Sequence, residues 1–103
     1  MKVSELKIED IARFLKLDFE DMEEEEKEDL QTILDASIEF ISDYTGIPIQ
    51  SETEKTVDDY KKFVLCAKVL CQDMYDNRSY YVDKSNVNKV VESILNMHRR
   101  NLV

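Results

Sequence analysis

The sequence has one glycine, one proline and one histidine in 103 residues, and it has no tryptophan. Because tight turns depend on glycine and proline, this deficit predicts a mostly helical fold. A nucleophilic catalytic triad needs a general base, usually histidine, and this chain has one histidine. A single glycine excludes the glycine-rich loops that hold phosphate groups. The glycine and the proline stand together in Gly46-Ile47-Pro48, where they predict the end of a helix.

Cysteine is also scarce, and Cys66 and Cys71 cannot form the disulfide framework of a small secreted domain. Five residues apart on a helix, their side chains diverge by about 140°, so we expect two buried free thiols.

No apolar run reaches the roughly 18–20 residues of a membrane-spanning helix. Met1–Glu5 lacks the apolar core of a signal peptide, so none is expected. The length favours a single domain over residues 1–103.

Acidic residues outnumber basic ones by nine, and the excess is concentrated in one segment. Asp18–Asp29, here called the acidic block, contains nine acidic residues and one lysine, whereas the rest of the chain sums to −1. Lys84–Val103, with four basic residues and one acidic residue, is interpreted as the only net-positive stretch of length. A surface that binds duplex nucleic acid needs clustered lysines or arginines, and the sequence has no such cluster. We therefore expect no sequence-specific nucleic acid binding.

Four segments follow the 3.6-residue period of an amphipathic helix. They predict helices near residues 8–16, 23–45, 57–77 and 86–99. The third is apolar around much of its circumference, which predicts a central position. The sequence therefore predicts an all-α, single-domain bundle of about four helices, with a long second helix and a central apolar third helix. The core face of the second helix comprises Leu30, Ile33, Leu34, Ser37, Ile38, Ile41 and Tyr44, with Phe40 beside it.

The segments between the predicted helices are polar. Residues 47–55 are interpreted as a flexible linker, and residues 101–103 as a short C-terminal tail. Thr56 has the spacing of an N-cap for the third helix, with Asp58 and Asp59 as capping residues. Ser85 or Asn86 is the predicted cap of the fourth helix.

No pattern in the sequence predicts catalysis or a resident cofactor. His98 lies beside two arginines near the chain end, and we interpret it as a surface residue. Asp18–Glu23 lacks the alternating ligands and the central glycine of a calcium loop, and zinc ligands are absent at useful spacing. We therefore expect no enzymatic activity, no cofactor and no metal site.

Four segments carry a likeness to a known family. They are IEDIARFLKLD at residues 8–18, ASIEFISDYTG at 36–46, MYDNR at 74–78 and ILNMHRR at 94–100. In this order they resemble the small head–tail connector (head-completion adaptor) proteins of tailed bacteriophages and prophages. The likeness covers the opening helix, a long helix ending in Tyr-Thr-Gly, the Tyr-x-Asn-Arg end of the next helix, and the terminal helix. The glutamate run at residues 23–26 is heavier than in the family.

The resemblance implies a structural virion protein rather than an enzyme. It implies copies that assemble as a ring beneath the portal protein, extend the DNA channel and present a platform for a further connector or tail protein. It further implies assembly in the host bacterial cytoplasm and residence at the head–tail junction. An acidic block suits a channel lining, since like charge repels passing DNA; a solvated helix start is the alternative.

Two places in the sequence are candidate assembly contacts. Tyr80 and Tyr81 lie in a predicted loop, where aromatic side chains anchor a partner or fold over the core. The other is the C-terminus, which the resemblance implies engages the portal or a neighbouring subunit through Arg99, Arg100, Leu102 and Val103. A frayed tail whose arginines serve only the helix dipole is the alternative. The alternative function is a monomeric helical protein-interaction module or a small phage regulator.

Overall fold

The computed structural model describes residues 1–77 and 88–99, and the statements below concern these ranges. Four α-helices follow in order: α1 Ile8–Phe14, α2 Glu24–Thr45, α3 Lys62–Asn77 and α4 Lys89–His98. Three short 3₁₀ turns lie at Val3–Glu5, Phe19–Asp21 and Val57–Asp59. No strand occurs in the described ranges, and the predicted all-α bundle with a long second helix is confirmed.

α3 lies at the centre of the bundle, where its wide apolar face predicted it. It contacts α1, α2, α4 and the first 3₁₀ turn. The two cysteines on it are buried and unpaired, in agreement with the prediction from their spacing. The buried side chains of α3 are Phe63, Cys66, Ala67, Leu70, Cys71 and Met74.

α2 packs along α3 through the stripe that the sequence predicted. Leu30, Ile33, Leu34, Ser37 and Ile41 are buried, while Ile38, Phe40 and Tyr44 are half-buried. The helix ends at the predicted glycine, because Gly46 adopts a φ of 76°. Its N–H donates to the carbonyl of Ser42 at 2.8 Å, and glycine takes this left-handed conformation without a Cβ clash.

α1 ends at Phe14, two residues before the predicted boundary, through a cap that contains no glycine. Lys16 has a φ of 62°, and the N–H of Leu17 donates to the carbonyl of Ala12 at 2.8 Å. This is the bonding of a Schellman cap, which satisfies the last carbonyls of the helix. The sequence does not signal this end because lysine seldom adopts a left-handed conformation.

α3 begins at Lys62, so the predicted start at residue 57 is wrong. Val57–Asp59 forms a separate 3₁₀ turn, and Tyr60 after it is extended, with φ −120° and ψ 101°. This extended residue interrupts the helix and lets the Tyr60 ring stack on Phe63 at a centroid distance of 4.9 Å. Aromatic packing against the core thus takes the place of one helical turn.

The predicted capping residues are used, but not at the start of α3. Asp59 accepts the N–H of Thr56 at 2.8 Å, and the Thr56 hydroxyl accepts the N–H of Asp58 at 3.3 Å, which closes the 3₁₀ turn. The carboxylate of Asp58 bonds across the fold instead. It accepts the N–H of Ser4 at 2.8 Å and the Ser4 hydroxyl at 2.7 Å. This pair ties the N-terminal turn to the segment before α3.

Residues 47–55 are fixed at both ends. Ile47 is fully buried, and its N–H donates to the Thr45 hydroxyl at 3.2 Å while its carbonyl accepts the Ser42 hydroxyl at 2.7 Å. The Pro48 carbonyl accepts the N–H of Val57 at 3.1 Å. Ile47 therefore belongs to the core rather than to a polar linker, and flexibility between the two anchors stays a prediction.

α4 begins at Lys89 and is capped by Asn88, so the predicted caps Ser85 and Asn86 are wrong. The Asn88 side-chain oxygen accepts the N–H of Val90 at 2.9 Å. Asparagine is among the best N-cap residues because its short side chain reaches the free N–H groups of the first turn. α4 packs on both α2 and α3.

Candidate interface on the third and fourth helices

Of the six contact residues predicted from the sequence, the described ranges contain Arg99. The other five lie outside these ranges, and their role stays a prediction: Tyr80, Tyr81, Arg100, Leu102 and Val103.

Arg99 follows α4 and lies over the end of α2. Its guanidinium carbon is 5.0 Å from the centre of the Tyr44 ring, which is a cation–π distance. The Tyr44 hydroxyl also donates to the side-chain oxygen of Asn96 at 2.8 Å. The same aromatic side chain therefore holds the last turn of α4 and Arg99. Arg99 stays exposed, so its charge is accessible to a partner.

His98 is half-buried, and its ring packs on other aromatic side chains rather than lying free on the surface. Its ring centroid is 4.7 Å from that of Tyr60 and 5.6 Å from that of Phe63, with the rings of His98 and Phe63 nearly perpendicular. These contacts place the C-terminal end of α4 beside the start of α3. The sequence does not indicate this aromatic cluster of Tyr60, Phe63 and His98, because His98 is far from the other two along the chain.

α4 presents an apolar stripe to solvent beside its buried one. Val90 is 58% exposed and Met97 is 66% exposed, and Ile94 between them is half-buried. The i, i+4, i+7 spacing places these three side chains on one face. Val91 and Leu95 are the buried residues of the helix. The exposed stripe and the buried stripe overlap around the helix, and the 3.6-residue period does not distinguish them. From the period alone, Val90 would be assigned to the core.

α3 presents a basic face to solvent. From residue 60 to residue 72 the chain has three lysines and no acidic residue, so the C-terminal stretch is not the only net-positive one. Lys61 and Lys62 are exposed, Leu65 is 44% exposed, and half-buried Lys68 follows at helical spacing. These four residues are called the lysine face below. The charge count along the sequence missed the face because acidic segments flank it.

The three lysines of this face pair with no carboxylate in the described ranges. Two ion pairs there join neighbours on one helix, Asp10 with Arg13 in α1 and Glu24 with Lys27 in α2. Lys68 lies 5.9 Å from the centre of the Phe14 ring, so the end of α1 borders the face. Lysines at the start of a helix also meet the positive end of its dipole. Among the described residues, the lysine face is therefore a patch of positive charge without ion-pair partners.

An open depression near the N-terminus has its polar groups engaged by the fold. It is lined by Met1, Glu5, Lys7 and Asp10. Its two carboxylates accept backbone N–H groups, Glu5 from Lys2 at 2.7 Å and Asp10 from Lys7 at 3.0 Å. Elsewhere in residues 1–77 and 88–99, no three histidine, cysteine or acidic side chains are grouped so as to hold a metal ion.

The two thiols lie in the core in protonated form. Burial raises the pKa of Cys66 and that of Cys71 to about 11. The sulfur of Cys71 is 3.0 Å from the Ser37 hydroxyl oxygen. Because that hydroxyl donates its proton to the Ile33 carbonyl at 2.9 Å, the thiol is the donor in the pair. A protonated, buried thiol is a poor nucleophile, so both side chains serve packing.

The described residues thus define a small all-α bundle with an exposed apolar stripe on α4 and the lysine face on α3. Comparison of the chain with protein families, with curated proteins and with solved structures finds no match in any of the three. In the part of the chain that the structure describes, no helix has the length and hydropathy required to span a bilayer.

Proposed function

We propose that the chain is a structural virion protein, a head–tail connector subunit that forms a ring beneath the portal and extends the DNA channel. Its partners are then the portal protein, further copies of itself and a following connector or tail protein. It assembles in the host bacterial cytoplasm and resides at the head–tail junction. The observation that carries the proposal is the coincidence between the four family-like segments and the four helices.

Each of these segments falls on the element that the resemblance implies. Residues 8–18 contain α1, and residues 36–46 end with the left-handed cap of α2 at Gly46. Residues 74–78 include the last turn of α3, which ends at Asn77, and residues 94–100 include the end of α4. The resemblance rests on residue types, whereas helix ends depend on backbone geometry, so their agreement supports the proposal.

Surface chemistry gives further support. Each subunit of a ring contacts its neighbours through two different surfaces, in addition to any contact with the portal. Exposed methionine, arginine and clustered apolar side chains are typical of protein interfaces, and α4 with Arg99 presents all three. Arg99 also belongs to the predicted assembly contact, together with Arg100, Leu102 and Val103, which follow it in the chain.

The proposal is tested by measuring the mass of the purified chain alone and with the portal protein encoded beside its gene. A complex whose mass fits several copies on the portal is expected. Deleting residues 101–103 together with Arg99→Ala and Arg100→Ala should leave the monomer folded, judged by circular dichroism, but abolish ring formation on the portal. A matched control removes two charges elsewhere, through Arg13→Ala and Lys16→Ala. If the unaltered chain forms no complex with the portal, the proposal is wrong.

A helical protein-interaction module, including a small phage regulator, is the second candidate. The exposed stripe of Val90, Ile94 and Met97 favours it, because a single amphipathic helix of a partner covers such a stripe. The same mass measurement separates the two candidates. A connector gives many copies per portal, whereas a module gives a one-to-one complex with a partner unrelated to the capsid.

A further inference from the structure

Two surfaces of opposite charge have no ion-pair partner elsewhere in the residues that the structure describes. The acidic block carries a net charge of −8, and its one lysine, Lys27, is already paired with Glu24 and lies over the Phe19 ring at 4.5 Å. Glu23–Glu26 is exposed at the start of α2. The lysine face carries three positive charges that pair with no carboxylate in the described ranges.

The part of the acidic block on α2 lies away from the lysine face. α2 and α3 meet at Ser37 and Cys71, whose side chains are 3.0 Å apart, so the buried side of α3 faces α2. The exposed lysine face is on the other side of α3. Along α2, the acidic block ends at Asp29, about 12 Å before Ser37 at 1.5 Å per residue. In the described ranges no ion pair joins the acidic block to the lysine face, so neither surface neutralises the other there.

We propose that the lysine face of one copy binds the acidic block of a second copy in a head-to-tail contact. Because the two surfaces differ, the contact is heterologous, and its repetition produces a closed ring or an open chain. The inference deepens the proposed function, and it rests on that function in assuming that copies assemble into a ring. It names the surfaces that neighbouring subunits present to each other.

Apolar side chains lie within both surfaces. Leu65 is exposed among the lysines, and Phe19 and Met22 are half-buried within the acidic block. Apolar contacts surrounded by complementary charges are the usual anatomy of a specific protein interface. Duplex DNA is the competing polyanion. The acidic block on the same molecule repels DNA, whereas it attracts a neighbouring lysine face, so the charge distribution favours a second copy.

A charge exchange in the full chain tests the contact. One variant carries Lys61→Glu and Lys62→Glu, and the other carries Glu25→Lys and Glu26→Lys. Glutamates in the first turn of α3 suit the helix dipole, so the first variant should fold at least as well as the parent. The control, Lys2→Glu with Lys89→Glu, makes the same change in net charge at two residues that are not part of the lysine face. Sedimentation velocity over a range of concentrations measures self-association.

The unaltered chain and the control should gain mass with concentration. Each charge variant alone should associate about tenfold or more weakly, because each meets a surface of its own sign. An equal mixture of the two should associate again, because each variant then offers the sign that the other lacks. An unaltered chain that stays monomeric, variants that associate like it, or a mixture without recovery would overturn the contact.

Two further readouts separate the possible failures. If the Lys61→Glu, Lys62→Glu variant still forms a complete ring on the portal, the contact is wrong and the proposed function stands. If the chain self-associates through this contact but ignores the portal, the proposed function is wrong and the contact stands. A labelled DNA duplex provides the second readout. If the lysine variant loses duplex binding while its self-association is unchanged, the lysine face serves nucleic acid and the inference is refuted.

Discussion

Asp73 is a residue whose charge opposes folding. Burial raises the pKa of its carboxyl above the ordinary value, and repulsion from Asp76 raises it further. Both residues stand near the C-terminal end of α3, whose last turn has no basic residue, and the negative end of the helix dipole disfavours acidic groups there. The folded chain therefore binds the Asp73 proton more tightly than the unfolded chain does.

We predict that Asp73→Asn raises the free energy of unfolding at neutral pH. Because the folded pKa lies above the unfolded value of 3.8, the ionised carboxylate destabilises the fold at pH above both values. This penalty disappears as the pH falls below 3.8, and the gain from asparagine disappears with it. Urea titrations at several pH values measure the effect, with Glu39→Gln on the exposed side of α2 as control. A gain that is independent of pH would contradict the argument.

At the residue scale, the sequence predicts features that depend on local chemistry and misses those that depend on remote partners. Gly46 and the Thr56–Asp59 capping pair are both found, because backbone geometry and short-range hydrogen bonds select these residue types. The bond from Ser4 to Asp58 and the packing of His98 on Tyr60 are missed. Such contacts join distant parts of the chain, and no local pattern encodes them.

At the scale of single helices, the cap of α1 stores strain that a substitution can remove. Lys16 holds a φ of 62°, where its Cβ crowds the backbone. We predict that Lys16→Gly stabilises the chain by about 0.5–1 kcal/mol, after allowance for the greater freedom of glycine in the unfolded state. Thermal melts measure the gain. Lys16→Ala is the control, and it should give none because alanine keeps the Cβ.

Helix boundaries show where periodicity stops being informative. The four predicted helices occur in order, because each has an apolar stripe with the 3.6-residue period. Their ends differ where an uncommon residue makes the cap, as at Lys16, or where core packing interrupts the helix, as at Tyr60. Asn88 was missed because Ser85 and Asn86 nearby have equal capping propensity.

On the scale of the whole molecule, charge along the sequence and charge over the surface differ. The acidic block is visible in both, since its residues are consecutive and exposed. The lysine face appears only after folding, when Lys62 and Lys68 of α3 and Lys61 just before the helix come to lie on one exposed surface. Arg99 was found from the sequence as a charged residue at a helix end, but its contact with Tyr44 needs the packing of α4 on α2. The candidate surfaces were thus predictable as segments and not as faces.

The central position of α3 makes one residue critical for the whole fold. Leu70 has no exposed surface, whereas Leu65 on the same helix is 44% exposed. We predict that Leu70→Ala lowers the free energy of unfolding by about 2–5 kcal/mol, because it leaves a cavity that the surrounding helices cannot fill. Leu65→Ala should cost no more than about 0.5 kcal/mol, as at other surface positions. Urea denaturation of the two variants at low protein concentration measures the difference.

The thiols offer a second readout of the same prediction. Cys66 and Cys71 are buried on α3 and protonated at neutral pH, so a thiol reagent such as Ellman's reagent reaches them when the chain opens. Their labelling rate under native conditions then follows the population of opened molecules. Leu70→Ala should speed labelling by roughly 30-fold or more, since each 1.4 kcal/mol is tenfold, and Leu65→Ala should change it little. Equal labelling rates in the two variants would show that α3 is not the centre of a cooperative core.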